Sequence, residues 1–400
     1  MNNVPNLRFK EFSGEWESQP LSKLGTFFKG TGLSKADLSD EGNPCVLYGE
    51  LYTKYTEVIT NVKSKTNVEL GNAVIGKIND VLIPSSGETA VDIATASCLQ
   101  QDDVILGGDL NVFRSNQVNG IFTSYQLNTS KKFEIAKLAQ GASVVHVYND
   151  QLKKLKLSVP TIEEQEKIAS FFSLIDKKIE LQTEKVEELK NYKKGIMQKI
   201  FSQELRFKDE DGNEYPEWEE RKLGNLINEY EYKTDSNNKY PILSSTLNGI
   251  VLQSNYFSKQ TASVDTTGYK IVPRGYFTYR SMSDTGVFRF NMQEVVDFGI
   301  VSPAYPVFAS SDKINSKFLE LVLNHSPGVK RQLLITKEGG TRYALGFKKL
   351  KQIQVMIPCK LEQEKIAILI RNLDSKVNKE EQKLVALIDY KKGLLQQMFI

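Results

Sequence analysis

The stretch from Pro160 to Phe201 reads PTIEEQEKIASFFSLIDKKIELQTEKVEELKNYKKGIMQKIF. Apolar residues recur in it at alternating spacings of four and three, namely Ile168, Phe172, Ile175, Ile179, Val186, Leu189, Ile196 and Ile200. Gln182 and Lys193 occupy the two gaps in this series. A heptad pattern sustained over this length predicts one long helix with a coiled-coil seam. At about 1.5 Å per residue, some 39 residues would span roughly 58 Å.

The start of this helix is marked in the sequence. Pro160 precedes it, and Thr161 followed by Glu164 is the pattern of a capping box. The carboxylates of this stretch, and of its second copy described below, alternate with lysines at helical spacing. This pattern is typical of a solvated helix face rather than of paired acid/base groups.

The same stretch returns between Pro358 and Phe399, as PCKLEQEKIAILIRNLDSKVNKEEQKLVALIDYKKGLLQQMF, without a gap. Glu164-Gln165 corresponds to Glu362-Gln363, and the polar interruptions return as Glu380 and Lys391. The chain is therefore predicted to be one unit written twice, with the same helix at the end of each copy.

The beginnings of the two copies also match. Leu7-Arg8-Phe9-Lys10 corresponds to Leu205-Arg206-Phe207-Lys208, and Trp16 and Trp218 follow at similar distances. Between these landmarks and the helices we predict short strands and loops. Predicted elements, in pairs from the two copies, are strand-turn-strand units at 73–84 and 270–279, short helices at 133–138 and 318–323, and closing strands at 155–159 and 353–357.

Composition is that of an ordinary globular protein. The chain has 400 residues, enough for two to three domains, with 40% apolar and 25% charged residues. Apolar runs are too short for a membrane span, and the N-terminus does not resemble a secretory signal. Cys45, Cys98 and Cys359 are isolated and odd in number, which fits a reducing cytoplasm and argues against a zinc site.

Charge is unevenly distributed, although the net charge is only +3. Residues 221–357 carry 18 basic and 10 acidic residues, whereas residues 21–160 carry 14 of each and the segment 202–220 is acidic. The second globular segment is therefore moderately basic, as a nucleic-acid partner would favour, although ordinary surface charge explains the same numbers.

Motifs for catalysis are weak. Gly71 to Lys77 nearly matches a phosphate-binding loop, but Ile78 stands where a hydroxyl is needed and a strand is predicted to follow. His146 and His325 are the only histidines and have no supporting motif. The sequence therefore predicts no catalytic residue, no metal site and no cofactor held by this chain.

Recognition chemistry is better represented. Arginine can bond guanine bidentately, tyrosine, serine and threonine hydroxyls reach bases or phosphates, and glycines flank several of these residues. For each residue, a role in a turn or a surface ion pair is an equally good interpretation. The candidate DNA-binding residues are Ser85, Ser86, Arg114, Ser143, Tyr279, Arg280, Ser281, Thr341, Arg342 and Tyr343.

Pairing of the two helices within one chain is favoured by their high effective concentration. Gln182, Lys193, Glu380 and Lys391 are then candidates for fixing the register of the pair. Gly195 and Gly393 interrupt the pattern, and glycine inside a helix costs about 1 kcal/mol relative to alanine. Either each helix breaks there or another backbone approaches closely, and the sequence leaves both alternatives open.

The doubled arrangement resembles a known family. Two dissimilar globular domains, each followed by a near-identical long helix that opens with Pro-x-x-x-Glu-Gln-x-Lys-Ile-Ala, are similar to the DNA-specificity subunit of type I restriction-modification systems. The segment from Gly299 to Tyr305 also resembles the second-domain pattern of that family, whereas the first copy departs from it at Gly107 to Asn111.

The resemblance implies an α+β fold with an internal pseudo-two-fold repeat. Two strand-rich target-recognition domains would be separated by two long helices that form an intramolecular antiparallel coiled coil. The expected boundaries are 1–160 for the first domain, 161–201 for the first helix, 202–357 for the second domain with its linker at 202–220, and 358–400 for the second helix.

The resemblance also implies a non-catalytic role. Each globular domain would read one half of a bipartite site in double-stranded DNA, and the helices would set the spacer between the halves. Two modification subunits, using S-adenosylmethionine, and restriction subunits, using ATP and Mg²⁺, would be the partners. The alternative is a coiled-coil adaptor whose two globular domains bind other proteins.

Overall fold

A computed structural model of the chain describes residues 3–69, 71, 73–141, 143–256, 265–335 and 343–400. The chain divides into two compact units, the first built from two segments of the chain and the second from one. The first unit comprises residues 1–185 and 381–400, and the second comprises residues 186–380. Each long helix therefore contributes one part to each unit. In the described ranges, no helix has the length and apolarity required to cross a membrane.

The first globular part is rich in short strands. Its helices are α1 (Leu21–Leu24), α2 (Ala90–Ile93), α3 (Gly120–Asn128), α4 (Lys132–Leu138) and α5 (Asn149–Leu152). Its strands are β1 (Glu17–Pro20), β2 (Thr26–Lys29), β3 (Leu38–Ser39), β4 (Asn43–Val46), β5 (Val58–Ile59), β6 (Ser64–Thr66), β7 (Ile75–Gly76), β8 (Val81–Pro84), β9 (Ser86–Gly87), β10 (Ser97–Leu99), β11 (Val104–Leu106), β12 (Leu110–Arg114), β13 (Val145–His146) and β14 (Lys156–Val159).

The second globular part follows the first long helix, α6 (Ile162–Phe201), and precedes the second, α11 (Lys360–Met398). Its other helices are α7 (Gln253–Tyr256), α8 (Ser316–His325), α9 (Pro327–Ile335) and α10 (Phe347–Leu350). Its strands are β15 (Glu219–Lys222), β16 (Ile227–Glu229), β17 (Leu243–Thr246), β18 (Gly249–Leu252), β19 (Lys270–Pro273), β20 (Phe277–Thr278), β21 (Met282–Ser283), β22 (Asn291–Met292), β23 (Phe298–Val301), β24 (Val307–Ser310), β25 (Tyr343–Ala344) and β26 (Gln354–Ile357).

Sheet topology repeats in part between the two units. The first unit has two five-stranded sheets, in the orders β2-β12-β8-β10-β5 and β3-β6-β4-β11-β7, whereas the second has one four-stranded sheet, β16-β24-β20-β22. Two-stranded ribbons correspond more closely: β1-β14 matches β15-β26, and β9-β13 matches β21-β25. The continuous apolar run of β8 is buried on both faces, as expected of a central strand.

The long helices pair antiparallel within each unit. In the first unit, Phe172 of α6 lies against Phe399, with ring centroids 5.9 Å apart, and Asp176 contacts Lys391. As residue numbers increase along α6, the residues they contact on the second long helix decrease in number, which shows antiparallel packing. In the second unit, Met197 and Ile200 share a core cluster with Ile366 and Ile370. The predicted helices, their seam and their pairing within one chain are confirmed.

One detail of the helix prediction, the role of the two glycines, is wrong. Gly195 and Gly393 lie inside unbroken helices, and a Cβ added at either position would meet nothing within 4 Å. The helices neither break at these glycines nor bring another backbone close to them. At the predicted capping box, both carboxylate oxygens of Glu164 accept hydrogen bonds from Arg8.

Candidate nucleic-acid interface

Three of the predicted contact residues lie in or next to a two-stranded ribbon of the first unit. β9 pairs antiparallel with β13, so that Ser86 lies opposite His146. Ser86 is only 5% exposed, and its Oγ is 3.0 Å from His146 Nδ1. Ser85 is also buried, with its Oγ 3.4 Å from a carboxylate oxygen of Asp109. The prediction of direct DNA contact is therefore wrong for both serines, whereas Ser143, just before β13, is exposed.

The corresponding ribbon in the second unit gathers three more. Arg280 and Ser281 precede β21, which pairs with β25 at Tyr343. Arg280 is exposed, with its Nη2 3.8 Å from a carboxylate oxygen of Asp284. The Ser281 hydroxyl donates to the carbonyl of Ala304 at 2.8 Å. Thr341 and Arg342 lie outside the described residues.

Tyr279 is a core residue, and its prediction as a DNA contact is wrong. Its side chain is fully buried, and its hydroxyl donates to the carbonyl of Leu345 at 3.1 Å. Its ring packs against Phe290 at 4.8 Å between centroids, and burial raises the pKa of Tyr279. Successive side chains of an extended segment point to opposite faces, so Tyr279 points inward and Arg280 outward.

Arg114 serves the fold of the first unit. Its Nε and Nη2 donate to the two carboxylate oxygens of Asp80 at 2.7 and 2.6 Å, and Nη2 also donates to the carbonyl of Ile75 at 2.9 Å. Its guanidinium lies 4.8 Å from the centre of the Phe28 ring. The hydrogen bonds to Asp80 raise the pKa of Arg114. These contacts give Arg114 a structural role through Nε and Nη2, and its contact with DNA stays a prediction.

The start of α6 is bound to the N-terminal arm by a buried ion pair. Glu164 is fully buried and accepts from Arg8 Nε at 2.8 Å and from Arg8 Nη2 at 2.7 Å. Arg8 also donates to the carbonyls of Ser13 and Gly14 in the same arm. Such a two-pronged pair fixes direction as well as distance.

The neighbouring glutamine binds the globular part. Gln165 Oε1 accepts from the backbone N–H of Asn119, the N-cap of α3, at 2.9 Å, and its Nε2 donates to the carbonyl of Pro160 at 2.9 Å. The first turn of α6 is therefore tied both to the arm and to a helix of the recognition domain. We call Arg8, Glu164, Gln165 and Asn119 the helix-start network of the first unit.

The second unit repeats this network residue by residue. Glu362 is buried and accepts from Arg206 Nε at 3.0 Å and Nη2 at 2.9 Å. Gln363 accepts from the backbone N–H of Asn315, the N-cap of α8, at 2.8 Å and donates to the carbonyl of Pro358. Two domains with different sheets are thus joined to their helices by the same contacts.

Helix carboxylates were expected to be solvated, and for Glu164 and Glu362 this is wrong. Their neighbours along the helix are lysines, so the local pattern hides their partners. A signal exists at longer range, because each arginine precedes its glutamate by the same 156 residues in the two copies. Recurrence of a basic–acidic pair at one separation would have identified the network.

The predicted register lysines contact different surroundings in the two units. Lys391 Nζ lies 2.6 Å from Asp176 and 2.9 Å from Glu57, and the Tyr125 hydroxyl donates to Asp176. Burial opposes the charge of Lys391, but the two carboxylates outweigh it and raise the pKa of Lys391. Lys193 forms a single ion pair with Asp374. Gln182 lies half-buried on α6, and Glu380 is buried on α11.

Groups suited to catalysis are not assembled in the described part of the chain. Among those residues, no cluster of three or more His, Cys, Asp or Glu is arranged to hold a metal ion. Burial raises the pKa of Cys45 to about 11 and that of Cys98 to about 12, so neither is a ready nucleophile. The near-match to a phosphate loop ends in β7, a turn and β8, as predicted, rather than in a helix.

Comparison with known proteins accounts for the doubled arrangement. The sequence profile described as "Type I restriction modification DNA specificity domain" matches twice, at residues 13–191 and 215–387. The chain belongs to this family. Each copy of the domain includes one globular part and most of the helix that follows it. The family resemblance drawn from the repeated helix is confirmed.

Individual relatives agree with this assignment. The MjaVIII specificity subunit of Methanocaldococcus jannaschii, a type I restriction enzyme subunit, is 25% identical over 230 residues, which are 55% of this chain and 52% of the relative. The putative MjaX specificity subunit of the same organism is 35% identical over 131 residues, or 30% of each chain. The chain thus aligns with about half the length, or less, of these relatives.

Solved structures show the same fold. The S subunit of a type I restriction-modification system from M. genitalium superimposes with a TM-score of 0.60 over 99% of both chains, at 17% identity. A chain from a study of complex assembly and conformational transition in a type I system gives 0.56 over 96% of this chain and 97% of its own, at 13% identity. At these identities, the likeness concerns the fold alone.

Proposed function

We propose that this chain recognises a bipartite sequence in double-stranded DNA as the specificity subunit of a type I restriction-modification complex. The main support for the proposal is that the two units share one helix-start network but have dissimilar ribbons. The helix-start networks are the same in both units, whereas β9-β13 and β21-β25 present different exposed side chains. Two readers of unlike half-sites require this combination.

The basic second segment supports a nucleic-acid partner. Residues 221–357 contain 18 basic and 10 acidic residues, and this excess of positive charge would favour contact with phosphates. Of the remaining predicted residues, Arg280 and Ser143 are exposed and are the best placed for contact with DNA. Thr341, Arg342 and Tyr343 stay candidates from the sequence, and Ser281 is a candidate whose hydroxyl is already engaged.

The partners and cofactors follow from the same proposal. Two modification subunits would supply S-adenosylmethionine and adenine methylation, and restriction subunits would supply ATP- and Mg²⁺-dependent steps, all in the cytoplasm. This chain would hold none of these cofactors and would perform no reaction. The paired helices would fix the spacer, with Lys193 and Lys391 setting their register through Asp374 and Asp176.

Mapping of methylated adenines tests the proposal directly. In cells that carry the modification subunits, genomic DNA is sequenced with and without this chain. We expect one bipartite motif to be methylated only when the chain is present. An unchanged methylation pattern, together with no salt-sensitive binding of duplex DNA by the purified complex, would instead favour the adaptor function.

The role of the helices has its own test. Seven residues, one heptad, are inserted after Gln182 and after Glu380, which preserves the seam and adds about 10 Å to each helix. We expect the preferred spacer to lengthen by about three base pairs, at 3.4 Å per pair. An unchanged spacer with retained methylation would contradict the assignment of spacing to the helices.

A further inference from the structure

Lys29, His146 and Tyr148 form an aromatic and basic cluster at the ribbon of the first unit, in which Lys29 and Tyr148 are exposed and His146 is half-buried. The rings of His146 and Tyr148 stack with their centroids 6.3 Å apart and their planes at 20°. Lys29 Nζ lies 5.6 Å from the centre of the Tyr148 ring, on which a cation is attracted by the π-system. Tyr148 is 47% exposed. None of these three residues was singled out as a contact from the sequence.

The ring of His146 is held in one orientation. Its Nδ1 is 3.0 Å from the hydroxyl of Ser86, and its backbone N–H and carbonyl are both bonded to Gln140. Within the described residues, Nε2 has no hydrogen-bond partner. When the Ser86 hydroxyl donates to Nδ1, the neutral ring carries its proton on Nε2 and presents a single donor outward.

We propose that this cluster is a DNA-contacting site for one half of the target, with His146 reading a base edge and Lys29 binding a phosphate. The proposal rests on the DNA recognition proposed above. A fixed N–H donor beside an exposed aromatic ring can bond an acceptor such as purine N7 in the major groove. Ser86 is then a positioning residue that acts through His146.

The second unit supports this assignment by contrast. At the matching ribbon, the exposed side chains include Arg280 and Met282, which is 43% exposed. The stacked His–Tyr pair belongs to the first unit, and the exposed arginine belongs to the second. The same place in two equivalent domains therefore carries different hydrogen-bonding chemistry, as two different half-sites require.

The test uses the complex of the full chain with its modification subunits. Once the methylated motif is known, binding is measured on four duplexes: the full target, each half-site mutated in turn, and a scrambled sequence. We expect His146→Ala to weaken the full target by about 5- to 150-fold and to abolish discrimination at one half-site only. Arg280→Ala, the matched variant of the second unit, should act at the other half-site.

Two further variants separate the roles within the cluster. Lys29→Ala should weaken all four duplexes alike and reduce the slope of log affinity against log salt by about one. Ser86→Ala should produce a smaller loss at the same half-site as His146→Ala, and no added loss when combined with it. Lys137→Ala, an exposed lysine on α4, serves as the control for general charge loss.

Outcomes of this experiment are decisive. The proposal is overturned if His146→Ala and Tyr148→Ala, shown to be folded by circular dichroism, retain full discrimination at both half-sites or lose it equally at both. If instead the wild-type complex fails to distinguish the target from the scrambled duplex, the proposed function itself is wrong. A His146→Gln variant keeps a polar side chain should the alanine variant not fold.

Discussion

Two kinds of contact behave differently when the two units are compared. The helix-start networks are repeated with bond lengths that agree to about 0.2 Å, although they join domains with unlike sheets. The ribbons occupy matching places but expose a stacked His146–Tyr148 pair in one unit and Arg280 in the other. The helix-start networks are constrained by burial, whereas the exposed side chains of the ribbons are free to differ between the units.

The register lysines share one contact in the two units and differ in a second. Lys193 and Lys391 each bind an aspartate on the partner helix, at matching places in the repeat. Among the described residues, only Lys391 of the two also binds a carboxylate of a globular part, Glu57, beside the ring of Tyr125 at 5.2 Å. The ion pair common to both units links the two helices, and the additional one in the first unit links a globular part to the helix pair.

Removal of the buried glutamates should have the largest effect on stability. We expect Glu164→Ala and Glu362→Ala each to cost about 3–5 kcal/mol of unfolding free energy, because each leaves an arginine without its buried partner. Each unit has one tryptophan, so urea unfolding followed by fluorescence in Trp218→Phe and Trp16→Phe backgrounds reports the first and second units separately. The exposed neighbours provide the controls Glu166→Ala and Glu364→Ala. A large effect in one unit only would break the equivalence of the networks.

The two lysines should differ in their effect. We expect Lys391→Met to lower the stability of the first unit by about 2–3 kcal/mol, since Asp176 and Glu57 lose their shared cation. Lys193→Met should lower that of the second unit by about 0.5–1 kcal/mol, because Asp374 is 45% exposed and its charge stays hydrated. The same fluorescence assay at neutral pH measures both values. Equal losses would show that Glu57 adds nothing to the common pair.

Acid should weaken the second unit through His325. Burial, aided by Arg289, Lys330 and Lys193, lowers the pKa of His325 from 6.5 to about 4. His325 takes up a proton more readily in the unfolded chain than in the folded unit, so stability is lost as pH falls from about 6.5 towards 4, by about 3 kcal/mol. His325→Asn should abolish this part of the pH dependence in unfolding curves of the second unit. A variant with the wild-type slope would mean that other groups cause it.

The smallest effects should come from the helix glycines, and they should be equal. We expect Gly195→Ala and Gly393→Ala each to stabilise its unit by about 1 kcal/mol, since both lie in open helix interiors where alanine has the higher propensity. Thermal or urea unfolding of the single and double variants measures the gain. A loss of stability at either position would indicate that the glycine is needed there.

The fold was predictable where the sequence repeats itself. A seam of apolar residues over five heptads and its second copy determine two helices, because helical periodicity and self-similarity are local signals. The contact residues were harder to predict. Tyr279 and Arg280 are adjacent and both suited to DNA, yet only strand orientation, which depends on long-range pairing, separates the buried residue from the exposed one.

The structural roles of Ser86 and Arg114 were hard to predict for a related reason. Ser86 and Arg114 have the right chemistry for DNA, but their partners, His146 and Asp80, are distant in sequence and engage them inside the domain. The cluster of Lys29, His146 and Tyr148 shows the converse, since residues without a motif come together only through strand pairing. Side-chain type alone therefore cannot distinguish a residue that contacts DNA from one that stabilises the fold.

The division of each long helix between the two units affects how the chain is made. Residues 186–380 form the second unit from a continuous segment, whereas the first unit needs residues 381–400. Lys391 and Glu57 are 334 positions apart, so at about 5–20 residues per second the ribosome takes roughly 20–70 s to deliver the lysine after the glutamate. During that interval the apolar faces of Trp16, Phe122 and Phe172, which later pack with Phe399, have no cover from α11. The unit whose synthesis begins first is thus the one completed last, and its core stays partly uncovered until then.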